Sequence, residues 1–294
     1  MSDWFSGNVL TNGIKIHIYR TGRPDRGDKP PLVLCHGFSD NGLCWVRVAR
    51  ALEKDYDVIM PDARGHGFSD APVEGYTSED MAADLAGLIQ ALGLERPGLV
   101  GHSMGADTVA VTAASFPHLA GCAILEDPPW FDRDSPRFRE RFGLSKEEQE
   151  ARVQAQRASI VERKRQTREE LMALCRENSP AWDEAEVGPW ADSKLQLSPH
   201  VAARMGAPRA HWSEIASRIA CPALLVTADV EAGAIVTPQV AQEVAAANPH
   251  IRVVHIGGAG HSIRREQFEL FMQAVAAFLV SRCKRDLPGV TLQA

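Results

Sequence analysis

The chain reads as an α/β protein: a mostly parallel sheet flanked by helices, interrupted in its second half by a helical insertion. Short runs rich in Val, Ile and Leu recur along its 294 residues, with little of the polar alternation of a half-solvated strand. Helical stretches lie between them, and strands alternating with helices imply parallel pairing. The segment from Asp132 to Ala210 carries no convincing strand. The boundaries are therefore drawn at 1–128 and 213–294 for the α/β core and 129–212 for the inserted helices.

Each element has its own signal. Ile14 to Tyr19 alternates Ile-Lys-Ile-His-Ile-Tyr after the turn residues Asn12-Gly13, the pattern of a half-exposed strand. Leu32–Cys35, Val58–Met60, Leu99–Val100, Cys122–Leu125, Ala223–Thr227 and Val253–Ile256 read as buried strands. Thr77 or Ser78 followed by Asp80 opens a helix that Gly93 stops, and Phe268 to Val280 spaces its apolar residues for a last helix. Ser145 with Glu148 and Thr167 with Glu170 form capping boxes, so helices are expected over 146–165 and 168–177. Pro180, Pro189, Pro199 and Pro208 punctuate the rest of the insertion, and Lys284 to Ala294 reads as a loose tail.

Gly101-His102-Ser103-Met104-Gly105 sits between the run at Leu99–Val100 and the Ala/Val-rich stretch Ala106 to Ala114. A Gly-x-Ser-x-Gly between strand and helix is a nucleophile elbow: the glycines clear space for a tight turn, and the turn presents the serine hydroxyl at a helix start. His36-Gly37-Phe38 follows one strand, Asp62-Ala63-Arg64-Gly65-His66-Gly67-Phe68-Ser69 another, and Gly257-Gly258-Ala259-Gly260-His261 a third. On these motifs, in this order, the chain resembles the α/β-hydrolase superfamily from about Gly13 to Val280, with the inserted segment where that superfamily carries a cap.

The resemblance implies a serine hydrolase. Ser103 is the expected nucleophile and His261 the expected base; the amides of Met104 and Phe38 are the expected oxyanion donors. His36, Asp62, Arg64 and His66 are read as loop braces. The acid is open. Most of the superfamily places it after the strand Leu224–Thr227, but counting back from Ile235-Val236 reaches Gly233 and counting forward from the strand reaches Glu231. A minority places it after the preceding strand, which here ends in Glu126-Asp127. Glu126 is the first choice, Glu231 the main alternative, with Asp127 and Asp229 behind them.

Composition narrows the partners. The net charge of −6 argues against nucleic acid or an anionic membrane surface. Met1 to Leu10 has no basic-then-apolar pattern and no apolar run nears 18 residues, so a cytoplasmic enzyme is expected. The six cysteines show no C-x-x-C pairing and read as buried free thiols. No metal-ligand spacing or phosphate cradle occurs, so no cofactor is expected. A serine at position 103 argues against dehalogenase and epoxide hydrolase chemistry, which in this superfamily uses an aspartate. Trp130, Trp182, Trp190 and Trp212, with Phe131, Phe138 and Phe142, lie in or beside the insertion, and the four tryptophans are expected to line a pocket for an apolar or aromatic substrate. The expected substrate is a small carboxylic ester or lactone. A C–C bond, amide or carbamate is the alternative on the same scaffold; a ligand-binding relative with incidental turnover is the alternative from another class. The oligomeric state stays open, a homodimer included.

Overall fold

Eight strands form one sheet in the order β1-β2-β4-β3-β5-β6-β7-β8. The computed structural model describes residues 4–22, 29–132 and 143–283. The strands are β1 (Phe5–Thr11), β2 (Ile14–Arg20), β3 (Pro31–Cys35), β4 (Asp57–Pro61), β5 (Gly98–His102), β6 (Cys122–Glu126), β7 (Ala223–Ala228) and β8 (Ile251–Ile256). From β4 through β8 every pairing is parallel, while β1–β2 and β2–β4 are antiparallel. The expected strands are all present. β1 is additional: its sequence Phe-Ser-Gly-Asn-Val-Leu-Thr is poor in strand formers, and it is held as an edge strand by the hairpin at Asn12-Gly13, both in left-handed backbone.

Helices cover both faces. α2 (Ser78–Ala91), α3 (Met104–Ser115), α7 (Trp212–Arg218) and α8 (Pro238–Ala247) share one apolar core with β5 and β6 through Leu85, Val109, Ile215 and Val240. On the opposite face, α1 (Val46–Leu52) and α10 (Phe268–Phe278) pack Val48, Phe271 and Val275 against Leu34, Met60 and Val100. The short α9 (Ile263–Glu266) precedes α10. Between β6 and β7 the described insertion holds α4 (Lys146–Arg163), α5 (Arg168–Asn178) and α6 (Glu184–Gln196), with a 3-10 turn at Pro199–Met205. Both expected capping boxes are closed: Ser145 with Glu148 starts α4 and Thr167 with Glu170 starts α5. Trp212 opens α7, which belongs to the α3 core, so the insertion ends just before it.

The cysteine expectation needs one correction. Cys35, Cys44, Cys175 and Cys221 are free and buried, but Cys122 is disulfide-bonded. Among the described residues no helix is long and apolar enough to cross a membrane. Phe138, Phe142 and the expected tail from Lys284 lie outside the described residues.

The elbow glycines are set by contact. A Cβ at Gly105 would stand 2.1 Å from the carbonyl oxygen of Cys35, and one at Gly101 2.3 Å from that of Gly105. Gly-to-Ala inside a helix ordinarily stabilises by about 1 kcal/mol; here the clash is with backbone that cannot swing away. Gly105→Ala is expected to lower stability in urea unfolding by about 1–3 kcal/mol. An unchanged or raised midpoint would contradict this packing.

Candidate active site

The site grows from the carboxyl ends of adjacent strands. His102, last residue of β5, pairs in register with Glu126, last residue of β6. The next residue on each chain, Ser103 and Asp127, leaves the sheet with a positive φ, 52° and 40°. Such backbone costs a non-glycine residue on the order of 1–3 kcal/mol and persists only where the surroundings enforce it. The ladder enforces it here: Ser103 N–H donates to Glu126 O at 2.9 Å, and Asp127 N–H to Val226 O at 3.0 Å. Ser103 stands at the N-cap of α3, yet its side chain makes no cap hydrogen bond, which leaves Oγ for another task. Met104 is the first residue of that helix, where amides have no intrahelical acceptor.

His261 lies in the loop after β8, and its Nδ1–H donates to Asp127 Oδ2 at 2.6 Å. The Asp127 side chain is fully buried and accepts two further groups. Ile235 N–H lies 2.9 Å from Oδ2, and Val236 N–H lies 2.9 Å from Oδ1. Backbone amides thus hold the carboxylate while it orients the imidazole.

The expected acid, Glu126, is not at the histidine. It is still within β6, so its side chain leaves on the opposite side from that of Asp127. There it accepts Arg264 N–H at 2.8 Å and pairs with the Arg264 guanidinium at 3.2 Å. Burial pushes the Glu126 carboxyl up, and Arg264 opposes that shift. Glu231, the alternative, is exposed in a 3-10 turn. Asp229 accepts from His255 Nε2 at 3.0 Å and Gly258 N–H at 2.7 Å, so it braces the His261 loop.

The loop carrying Phe38 abuts the elbow. A Cβ on Gly37 would come within 3.7 Å of Ser103 Cβ. His36 Nδ1–H donates to Gly37 O at 2.8 Å and its Nε2 accepts Ala63 N–H at 3.0 Å; His66 Nε2 lies 2.6 Å from Phe38 O. Asp62 accepts Gly42 N–H and Phe68 N–H, while Arg64 pairs with Asp84. These are the braces that the motif suggested.

Beneath this loop lies a buried ion cluster with no sequence signature. Asp40 faces Arg264 at 3.2 Å, Arg265 at 3.2 Å and Lys194 of α6 at 3.5 Å, and Arg265 also pairs with Glu186 of α6 at 3.0 Å. Burial alone would raise the Asp40 carboxyl, but the three cations outweigh it and hold it well below the usual carboxylate range. Each cation is covered by a tryptophan: Trp45 on Arg264, Trp182 on Arg265 and Trp190 on Lys194.

That placement gives Trp182 and Trp190 a structural task that the sequence did not suggest. Trp130 and Trp212 stack at 6.2 Å between centroids, both buried in the α3 core. These two also line an open cavity of about 380 Å³ with Phe131, Arg209 and His211, but neither Ser103 nor His261 lines it.

A family model described as the alpha/beta hydrolase fold matches residues 30–264. The chain belongs to this family. N-formylmaleamate deformylase of Pseudomonas putida is 28% identical over 284 residues, covering 93% of this chain and 96% of that one. A 2-(acetamidomethylene)succinate hydrolase of Mesorhizobium japonicum is 32% identical over 126 residues; the matched stretch spans 43% of this chain and only 45% of that relative. Among solved structures, E-2-(acetamidomethylene)succinate hydrolase superposes with a TM-score of 0.75 at 23% identity, covering 94% of this chain and 99% of that one. The enol-lactonase of Burkholderia xenovorans gives 0.70 at 24%, covering 93% and 100%. The α/β-hydrolase fold follows from these matches.

Two outcomes test the site's frame. Glu126→Gln leaves Arg264 undercompensated in the interior and should cost about 3 kcal/mol of stability in urea unfolding; an unchanged midpoint would contradict the buried pair. Burial, with His66 beside it, drives the His36 imidazole down to about 3. Unfolded, it titrates near 6.5, so between those values the unfolded chain binds the extra proton. Its contribution is therefore complete above about pH 6.5 and lost as pH falls towards 3. His36→Asn should lose stability less steeply than wild type between pH 7 and 4; parallel slopes would refute this.

Proposed function

We propose that this protein is a serine hydrolase that cleaves a carboxylic ester or lactone bearing an apolar or aromatic part, through an acyl-enzyme. The observation that carries the reading is the adjacency of Ser103 and Asp127 at neighbouring strand ends, with His261 hydrogen-bonded to Asp127. Ser103 Oγ attacks the carbonyl carbon and His261 Nε2 takes its proton. The oxyanion is held by the Met104 and Phe38 amides. Collapse expels the alcohol, which leaves with the proton from His261. Water, deprotonated by the same imidazole, then releases the acid. Asp127 stabilises the imidazolium at each step. The chemistry needs no cofactor, and the small substrate is the only partner invoked. In this reading the insertion between β6 and β7 acts as a cap.

Amide cleavage is the second reading. It rests on the relative matched along almost its whole length, which is a deformylase by name. The same nucleophile and base serve both, and the leaving group decides between them.

We also propose a cytoplasmic location, on the four buried free thiols. The bonded Cys122 points the other way, and fractionation of the source cells decides.

A fluorophosphonate probe should place its adduct on Ser103 by mass spectrometry, and Ser103→Ala should abolish both labelling and turnover while staying folded. A panel of aryl esters, lactones and formamides then ranks the bond types. An adduct elsewhere, or none, overturns the serine reading; faster turnover of formamides than of esters favours the second.

A further inference from the structure

The loop 37–41 that carries Phe38 has little structure of its own. Among the described residues, one backbone hydrogen bond closes within it, Asp40 N–H to Gly37 O at 3.1 Å. The rest of its support comes from outside, and much of it from α6 of the insertion. Lys194 Nζ donates to Ser39 O at 2.6 Å and to Ser39 Oγ at 2.9 Å, and the single Ser193 hydroxyl hydrogen is shared between the same carbonyl at 3.0 Å and Trp190 O at 2.7 Å. Asn41 Nδ2 donates to Gln196 Oε1 at 2.8 Å. Ser39, which receives the Lys194 bonds, directly follows Phe38; holding its peptide restricts the φ and ψ rotations through which the Phe38 amide could turn away.

We propose that α6 of the insertion assembles the oxyanion hole, with Lys194 as a positioning residue that fixes the Ser39 peptide and through it the Phe38 amide. Lys194 is 5% exposed, so its bonds to Ser39 are made out of bulk water, where they are stronger and harder to replace. Arg265 closes the same unit: it bridges Glu186 of α6 to Asp40, and it lies in the helix that follows His261. Displacing α6 therefore loosens the oxyanion loop and the histidine loop together. The insertion then shapes the chemistry as well as the choice of substrate. This inference rests on the serine-hydrolase reading above.

The test is stopped-flow acylation by p-nitrophenyl acetate, an ester too small to depend on a large acyl pocket, together with binding of a trifluoromethyl ketone, whose adduct carries the oxyanion. Lys194→Met should slow acylation by about 10- to 100-fold, short of the full loss of an oxyanion donor. It should weaken the ketone by a similar factor and leave KM for the acetate nearly unchanged. Lys194→Gln keeps a donor and should recover part of the rate. Folded Lys194→Met that acylates at the wild-type rate overturns the proposal, as does an equal loss of acetate and ketone affinity. If Lys194→Met does not fold, Ser193→Ala and Gln196→Ala each cut one tether. Both must then show the same selective loss, several-fold in size; wild-type behaviour in both overturns it. Wild type that fails to label with fluorophosphonate refutes the serine reading itself, whereas labelling with unaltered tether variants refutes only the coupling.

Discussion

The Asp127 carboxylate is the point on which the site depends. It stands one residue beyond β6, takes amides from the loop after β7, and takes the imidazole N–H from the loop after β8. One buried charge thereby ties together the segments that leave the carboxyl ends of three neighbouring parallel strands. Its left-handed backbone lets the carboxylate turn out of the sheet plane, and the Val226 carbonyl locks that turn. Ser103 repeats the construction on the neighbouring strand. The sheet sets the spacing of nucleophile and acid before any loop contributes.

Asp40 organises the second constraint. Three cations converge on it, two from the helix after His261 and one from the insertion, and Glu126 and Glu186 balance the remaining positive charge. Such a cluster is poor evidence for stability, because desolvating each ion offsets much of the attraction. Its value here is geometric. Each ion has bonding partners of fixed direction, so the oxyanion loop, the histidine loop and α6 share one arrangement. Breaking a single partner leaves an uncompensated buried charge, which is why changes here are costly.

Most of the frame was legible in the sequence because local signals carry it. Val-rich runs gave the buried strands, Ser145–Glu148 and Thr167–Glu170 gave two helix starts, and Gly101 to Gly105 gave the elbow. The acid was not, and the reason is the two-residue period of a strand. Glu126 and Asp127 differ by one position, and one position reverses the face. Nothing local to Glu126-Asp127 shows that β6 continues through Glu126, nor that Arg264, 138 positions away in sequence, claims it. The cation contacts of the tryptophans were hidden for a related reason. An aromatic in an insertion reads as a pocket wall, but Trp182 and Trp190 lie over cations whose burial only the tertiary structure reveals.

The most direct test of Asp127 as the acid is kcat of Asp127→Asn, measured beside Glu126→Gln on one ester. Asparagine keeps the size of the side chain but removes the charge that fixes the His261 tautomer and stabilises its cation. The expected result is a fall in kcat of about 10⁴ for Asp127→Asn with KM little changed, and a far smaller fall for Glu126→Gln. Near-normal kcat in Asp127→Asn, with collapse in Glu126→Gln, would contradict that assignment.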